Sequence, residues 1–91
     1  MPQSTRHDAW NAGRSYEHYM GRWSRQVAAR FVDWLQPRPN MDWLDIGCGT
    51  GALSQTILNH AEPLSLTGID LSEGFVDHTR QTINDKRASF K

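Results

Sequence analysis

The sequence predicts an α/β fold, part of a parallel sheet with helices packed on it. Three observations carry this. Two short apolar runs, "MDWLDI" at 41–46 and "LSLTGID" at 64–70, have strand length, and each is bounded by turn residues. The stretches between and around them repeat their apolar residues at helical spacing. The resulting order is helix, strand, helix, strand, helix, strand start, which suits parallel strands joined by right-handed crossovers.

Each element follows from its residues. Residues 1–14 are polar, carry Pro2 and Gly13, and are expected to be a flexible N-terminal segment. "SYEHYMG" at 15–21 reads as a short helix or turn that Gly21 breaks. Ser24 then caps a helix whose inward stripe is Val27, Ala28, Phe31, Val32 and Leu35. "QPRPN" stops it, because each proline disfavours a helical predecessor. After the first strand, "ALSQTILNH" reads as a helix with Ala52, Leu53, Thr56, Ile57 and His60 in register. "EP" ends it before the second strand. "SEGFVDHTRQTINDK" is a third helix, with Ser72 as cap and Phe75, Val76, Thr79 and Ile83 facing inward. "ASFK" opens a third strand. Residues 15–91 therefore read as one α/β unit.

Bulk properties narrow the function classes. Among 91 residues, ten Lys and Arg balance ten Asp and Glu, so there is no electrostatic footprint for nucleic acid. No run approaches the ~18 apolar residues of a membrane span. The N-terminus has no apolar signal-peptide core. Cys48 is the one cysteine, which fits a reducing cytoplasmic setting. The four histidines, His7, His18, His60 and His78, lack metal-ligand spacing and read as surface or helix-end residues. Trp34 and Trp43 read as core, whereas Trp23 is balanced between core and a ligand lid.

The chemistry is concentrated in "WLDIGCGTGALS" at 43–54. A strand running into a glycine loop and then a helix is a ligand-binding arrangement. Gly47 and Gly49 lack a Cβ and let a ligand approach the backbone. The first-turn N–H groups beyond Gly51 are expected to point at that ligand. The spacing fits G-x-G-x-x-A through Gly47, Gly49 and Ala52, a dinucleotide fingerprint. It fits D-x-G-x-G-x-G from Asp45 to Gly51 equally well. An acid at Asp45 repels a pyrophosphate but suits an ammonium group. Asp70, nineteen residues after Gly51, ends the second strand where a carboxylate can accept from two ribose hydroxyls. Acids at two adjacent strand ends suit a ligand with a ribose, a positive charge and no phosphate. S-adenosylmethionine is such a ligand. A plain tight turn for the glycines, and a helix-capping role for Asp70, are the bland alternatives.

These residues resemble a known family. "WLDIGCGTGALS" resembles the first motif of class I S-adenosylmethionine-dependent methyltransferases, and "LTGIDLSEGFV" the second. "YEHYMGRWSRQVAARFVDWL" is similar to the N-terminal helices of the ubiquinone/menaquinone-biosynthesis type, the methyltransferase type 11 or 25 domain. The resemblance implies a Rossmann-like parallel sheet, a bound S-adenosylmethionine, and methyl transfer to a small-molecule acceptor. It implies that Asp45, Gly47 and Gly49 line the methionine part of the cofactor, with Cys48 contributing backbone and Gly51 closing the cofactor-binding loop where the helix begins. Asp70 would hold the ribose, and Leu71 would lie against the adenine. Tyr19, Arg22 and Trp23 would cover the cofactor.

Length is the departure from that pattern. The family sheet has seven strands, and this chain supplies strands 1 and 2 and the start of strand 3, so the resemblance implies that residues 15–91 are the N-terminal half of a methyltransferase domain. No catalytic base can be named. The strand at 41–46, central in the family, has one edge without a partner here, which invites self-association. The main alternative function is therefore a non-catalytic cofactor-binding or interaction fragment. A nicotinamide-dependent half-domain is a third reading, and Asp45 argues against it.

Overall fold

The computed structural model describes residues 5–91, with the side chains of 5–13 and 16–19 outside the described set. The elements are α1 (Thr5–Leu35), β1 (Asp42–Ile46), α2 (Ala52–His60), β2 (Ser65–Ile69), α3 (Glu73–Thr82) and β3 (Ala88–Phe90). The three strands form one parallel sheet in the order β1-β2-β3. This is a partial Rossmann-like α/β fold. Both crossovers step in the same direction, so right-handedness places α2 and α3 on one face.

Strand burial shows the same two-sidedness. Asp45 of β1 and Leu66 and Gly68 of β2 are buried on the helix side. Leu44 and Ile46 point the other way and are 58% and 74% exposed. The core is built from Val32 of α1, Ile57 and Leu58 of α2, Leu66, Val76, Ile83 and Phe90, with Trp43 packed against it. Phe90 reaches its place because Gly68 has no side chain. A Cβ on Gly68 would lie 2.5 and 2.7 Å from two ring carbons of Phe90 and 3.2 Å from the Cβ of Cys48. Gly68→Ala is therefore expected to cost roughly 1–3 kcal/mol through overpacking. Urea denaturation of the variant against the parent chain checks this.

Four local expectations are corrected. α1 is a single 31-residue helix rather than two pieces, and both Gly21 and Ser24 lie inside it. One glycine costs a helix only about 1 kcal/mol. Packing of α1 against both α2 and α3 outweighs that. The stripe of α1 is also narrower than its periodicity suggests. Ala28 and Val32 are buried, but Val27, Phe31 and Leu35 are 63%, 42% and 42% exposed. Trp34 is 78% exposed, with its ring 6.2 Å from that of Phe31. His78 is buried on α3 rather than at the surface.

Two helix ends behave as the sequence implies, and one comes earlier. α1 stops at the proline segment, where Gln36 adopts a positive φ of 48° and donates its N–H to the Val32 carbonyl at 3.1 Å. Ser72 caps α3, its Oγ accepting from the Phe75 N–H at 3.2 Å. The third helix, expected to run through Lys86, is corrected: α3 ends at Thr82, where Ile83 turns to extended backbone and reaches the core from outside the helix. No helix among the described residues is long and apolar enough to cross a membrane.

Candidate functional site

The site lies at the carboxyl ends of β1 and β2, where the chain leaves β1 through residues 47–51 and enters α2. The loop turns back on the sheet. The N–H groups of Gly47 and Cys48 both donate to the Ile69 carbonyl, at 2.8 and 2.9 Å. That of Gly51 donates to the Cys48 carbonyl at 3.0 Å. Gly47 and Gly49 hold positive φ angles of 74° and 58°, and a Cβ at either would meet nothing within 4 Å. Open space thus stands over both glycines, which is what close approach of a ligand to the backbone requires.

Gly51 differs. It starts α2 at φ 91°, and a Cβ there would lie 2.7 Å from Ile83 Cδ1 and 3.1 Å from Thr79 Cγ2. Its bareness serves packing against the end of α3 rather than ligand approach.

Two carboxylates flank the loop. Asp45 is buried and accepts from Ser54 Oγ at 2.7 Å. Asp70 sits just past β2 and uses both oxygens, accepting from the Gly49 N–H at 2.9 Å and from the Ser72 N–H at 2.8 Å. Gly49 is held from its other side by α3, where fully buried Thr79 donates its hydroxyl to the Gly49 carbonyl at 3.0 Å. The acid of β2, the glycine loop and α3 therefore form one connected unit. The N–H groups of Gly47, Cys48, Gly49 and Gly51 are all engaged within the chain.

Sequence reading missed Ser54 and the hydroxyl role of Thr79. The signal for Ser54 was a polar residue in an otherwise apolar stripe, 54, 57, 58 and 61, all buried. Thr79 was read as a packing residue because its spacing matches that of its apolar neighbours.

A cleft of about 410 Å³ opens between α1 and the loop. Its walls are Met20, Trp23, Val27 and Phe31 on α1, Gly47, Cys48 and Gly49 on the loop, and Ala52 and Leu53 on α2. Of the residues the sequence singled out, the structure brings Gly47, Cys48, Gly49 and Trp23 to this cleft. Asp45 lies behind the loop, and Asp70 borders a separate recess with Glu73 and Arg80. Leu71 is fully exposed and Arg22 is exposed outside the cleft lining. Tyr19 is in α1, with its side chain outside the described residues. Among the described residues no group of side chains is arranged to hold a metal ion.

Cys48 reports the field in this region. Burial, then the charges of Asp45 and Asp70, push its thiol up to about 11 from 9.0. It stays protonated at neutral pH, which removes it as a nucleophile. Between pH 9 and 11 the unfolded chain loses the thiol proton while the folded chain keeps it. The folded state then binds more protons, so stability falls as pH rises. The expected loss over this window is about 2 kcal/mol. Urea denaturation at pH 8 and pH 10.5 checks it, because Cys48→Ala should remove that part of the fall.

Residues 44–91 match the family model described as a methyltransferase domain. The chain belongs to the methyltransferase domain family. Malonyl-[acyl-carrier protein] O-methyltransferase of Acetivibrio thermocellus is 29% identical over 79 residues, covering 85% of this chain and 28% of that protein. The complex of the Haloferax volcanii Trm112 methyltransferase activator with its methyltransferase shares the fold. Its TM-score is 0.73 at 16% identity, covering all of this chain and 39% of that one. The plantazolicin methyltransferase BpumL, solved with a triazolic desmethylPZN analog and S-adenosylhomocysteine, gives a TM-score of 0.60 at 27% identity. That match covers 86% of this chain and 31% of BpumL. The chain thus spans less than a third of the first curated relative and well under half of either structure.

Proposed function

We propose that this methyltransferase-family chain binds S-adenosylmethionine and forms the donor-binding part of an enzyme that methylates a small molecule. The observation that carries the reading is the pair of strand-end carboxylates, Asp45 and Asp70, on either side of a loop whose two open glycines face a cleft. The engaged N–H groups of the loop count against the dinucleotide reading. A pyrophosphate needs converging backbone donors, and four of those in this loop already donate inward. A donor carrying an ammonium group and a ribose, without phosphate, needs acceptors, and the two acids supply them. S-adenosylhomocysteine in the BpumL structure supports the same cofactor class.

The cofactor would supply a methyl group on a positively charged sulfur. The work of the chain is positional. Asp45, fixed by Ser54 behind the loop, would set a buried negative charge near the methionine end of the donor. Gly47 and Gly49 let the ligand lie against the backbone. Asp70 has a second lone pair on each oxygen and can accept ribose hydroxyls while still holding Gly49 and Ser72. The α1 wall keeps water from one side. Trp23 is the cover residue with a described place at the cleft, and Leu71 would gain contact only on binding. The acceptor is read as a small molecule because the chain carries no net charge that would gather nucleic acid.

Isothermal titration with S-adenosylhomocysteine and, separately, NAD tests the assignment. Binding of the first and not the second is expected. Binding of NAD alone would overturn it. The second reading, a non-catalytic binding or interaction fragment, is favoured by one observation. Among the described residues β1 pairs only with β2, and Leu44 and Ile46 stand largely exposed on one sheet face.

A further inference from the structure

α3 carries a buried titratable side chain that belongs neither to the apolar core nor to the cleft. His78 is 7% exposed. It lines a recess of about 210 Å³ where three helices meet, with Arg25 of α1, Gln55 of α2 and Thr82 of α3. Among the described residues of α1, Gly21, Ala28 and Val32 are the buried ones. Arg14 and Arg25 fall at the same helical phase as these three, so both arginines lie on the side of α1 that meets the other helices. That side docks with little apolar volume. Val32 is its described member of the core, and Gly21 and Ala28 are small. The charges that the described residues bring to His78 are cationic, Arg25 and Arg14 of α1. α2 and the glycine loop add only Thr50, Gly51, Ala52 and Gln55, none of them charged. Asp77, the next residue on α3, lines a different recess, 3.9 Å from Arg80. Burial, then the charge of Arg14, pulls the His78 imidazole below the ordinary 6.5.

We propose that His78, buried where α1 meets α3 and α2, makes the docking of α1 sensitive to acid. The helix is held while the imidazole is neutral and is released when a proton joins it beside Arg14 and Arg25. The proton meets desolvation and like charge only while α1 covers the ring. Once α1 lifts, water reaches the imidazole and its ordinary pKa returns. The released state therefore binds more protons in the window below pH 6.5, and lowering the pH through that window favours release. Above 6.5 the ring is neutral in both states and docking keeps its full strength. Met20, Val27 and Phe31 of the same helix wall the cleft over the glycine loop. Release of α1 thus opens that cleft in acid, whichever ligand the cleft takes.

Amide hydrogen exchange at about pH 7.5 and about pH 5.5, each referred to the unfolded chain at the same pH, tests this. The amides of residues 14–28 are expected to lose protection at the lower pH while those of α2 and β2 keep theirs. His78→Gln should hold the α1 amides equally protected at both. Arg14→Gln combined with Arg25→Gln should move the loss to lower pH, because desolvation alone then opposes the proton. His60→Gln, at an exposed position on α2, should leave the parent profile unchanged. A titration of the imidazole protons by NMR needs no variant to fold, and His78 should titrate below 6.5 in the parent chain. Equal α1 protection at the two pH values overturns the proposal. So does a loss that persists in His78→Gln, a loss shared equally by α1, α2 and β2, or a His78 that titrates at or above 6.5.

Discussion

Asp70→Ala is expected to weaken S-adenosylhomocysteine binding by more than about a hundredfold. Two charge-assisted hydrogen bonds to ribose hydroxyls are each worth ~1.5–3 kcal/mol, so their joint loss is ample for that factor. The same substitution removes the acceptor of two backbone donors, the N–H groups of Gly49 and Ser72. Loss of binding alone would therefore confuse ribose recognition with collapse of the loop. Thr79→Val separates them. It removes the other tie on Gly49, the hydroxyl bond to its carbonyl, while nearly preserving shape and leaving Asp70 intact. Thr79→Val should lower affinity by about tenfold or less, and Asp70→Ala by far more. If the two variants lose affinity equally, Asp70 is a loop-positioning residue and the ribose assignment fails. Thermal unfolding of both variants, with and without ligand, completes the comparison.

The asymmetry between these two residues shows what sequence could convey. Asp70 and Asp45 were legible because motif spacing fixes them at the ends of strands, and strand ends are locally encoded. β1, α2, β2 and α3 were legible for the same reason. Their apolar periods and bounding Pro, Gly and Ser residues act over a few positions. Ser54 and Thr79 were not legible as site residues, since each matters through a partner nine or thirty positions away. The misreading of α1 has a tertiary cause too. Gly21 and Ser24 carry local signals for a break and a cap, but contact of α1 with two other helices overrides both. His78 and Trp34 exchanged their expected places. Which side of a helix meets a neighbour depends on docking angles, and those do not show in a periodic pattern. The Cys48 thiol illustrates the same limit. Its position was readable, but its raised pKa comes from burial and from two acids that only the fold brings near it.

The 91-residue chain by itself is expected to associate, and Leu44→Lys with Ile46→Lys is expected to return it to monomer. β1 pairs with β2 along one edge and with no described strand along the other, so a row of backbone donors and acceptors stands open. Edges of this kind template pairing with another chain unless charge or proline blocks them. In β1 the residues that would have to block it are Leu44 and Ile46, which are apolar and largely exposed. Ile46 lies in register with Ile69 and Leu44 with Thr67, so the bare face is most apolar next to the open edge. Neither substitution removes a core contact, because neither Leu44 nor Ile46 belongs to the core or packs against it. Stability of the monomer should change by less than about 0.5 kcal/mol. Sedimentation velocity at tens of micromolar checks the prediction. A parent chain that stays monomeric and unfolds in one cooperative transition would show that the edge is tolerated. The bare face would then no longer argue for a binding or interaction fragment, and the donor-binding reading would stand without that competitor.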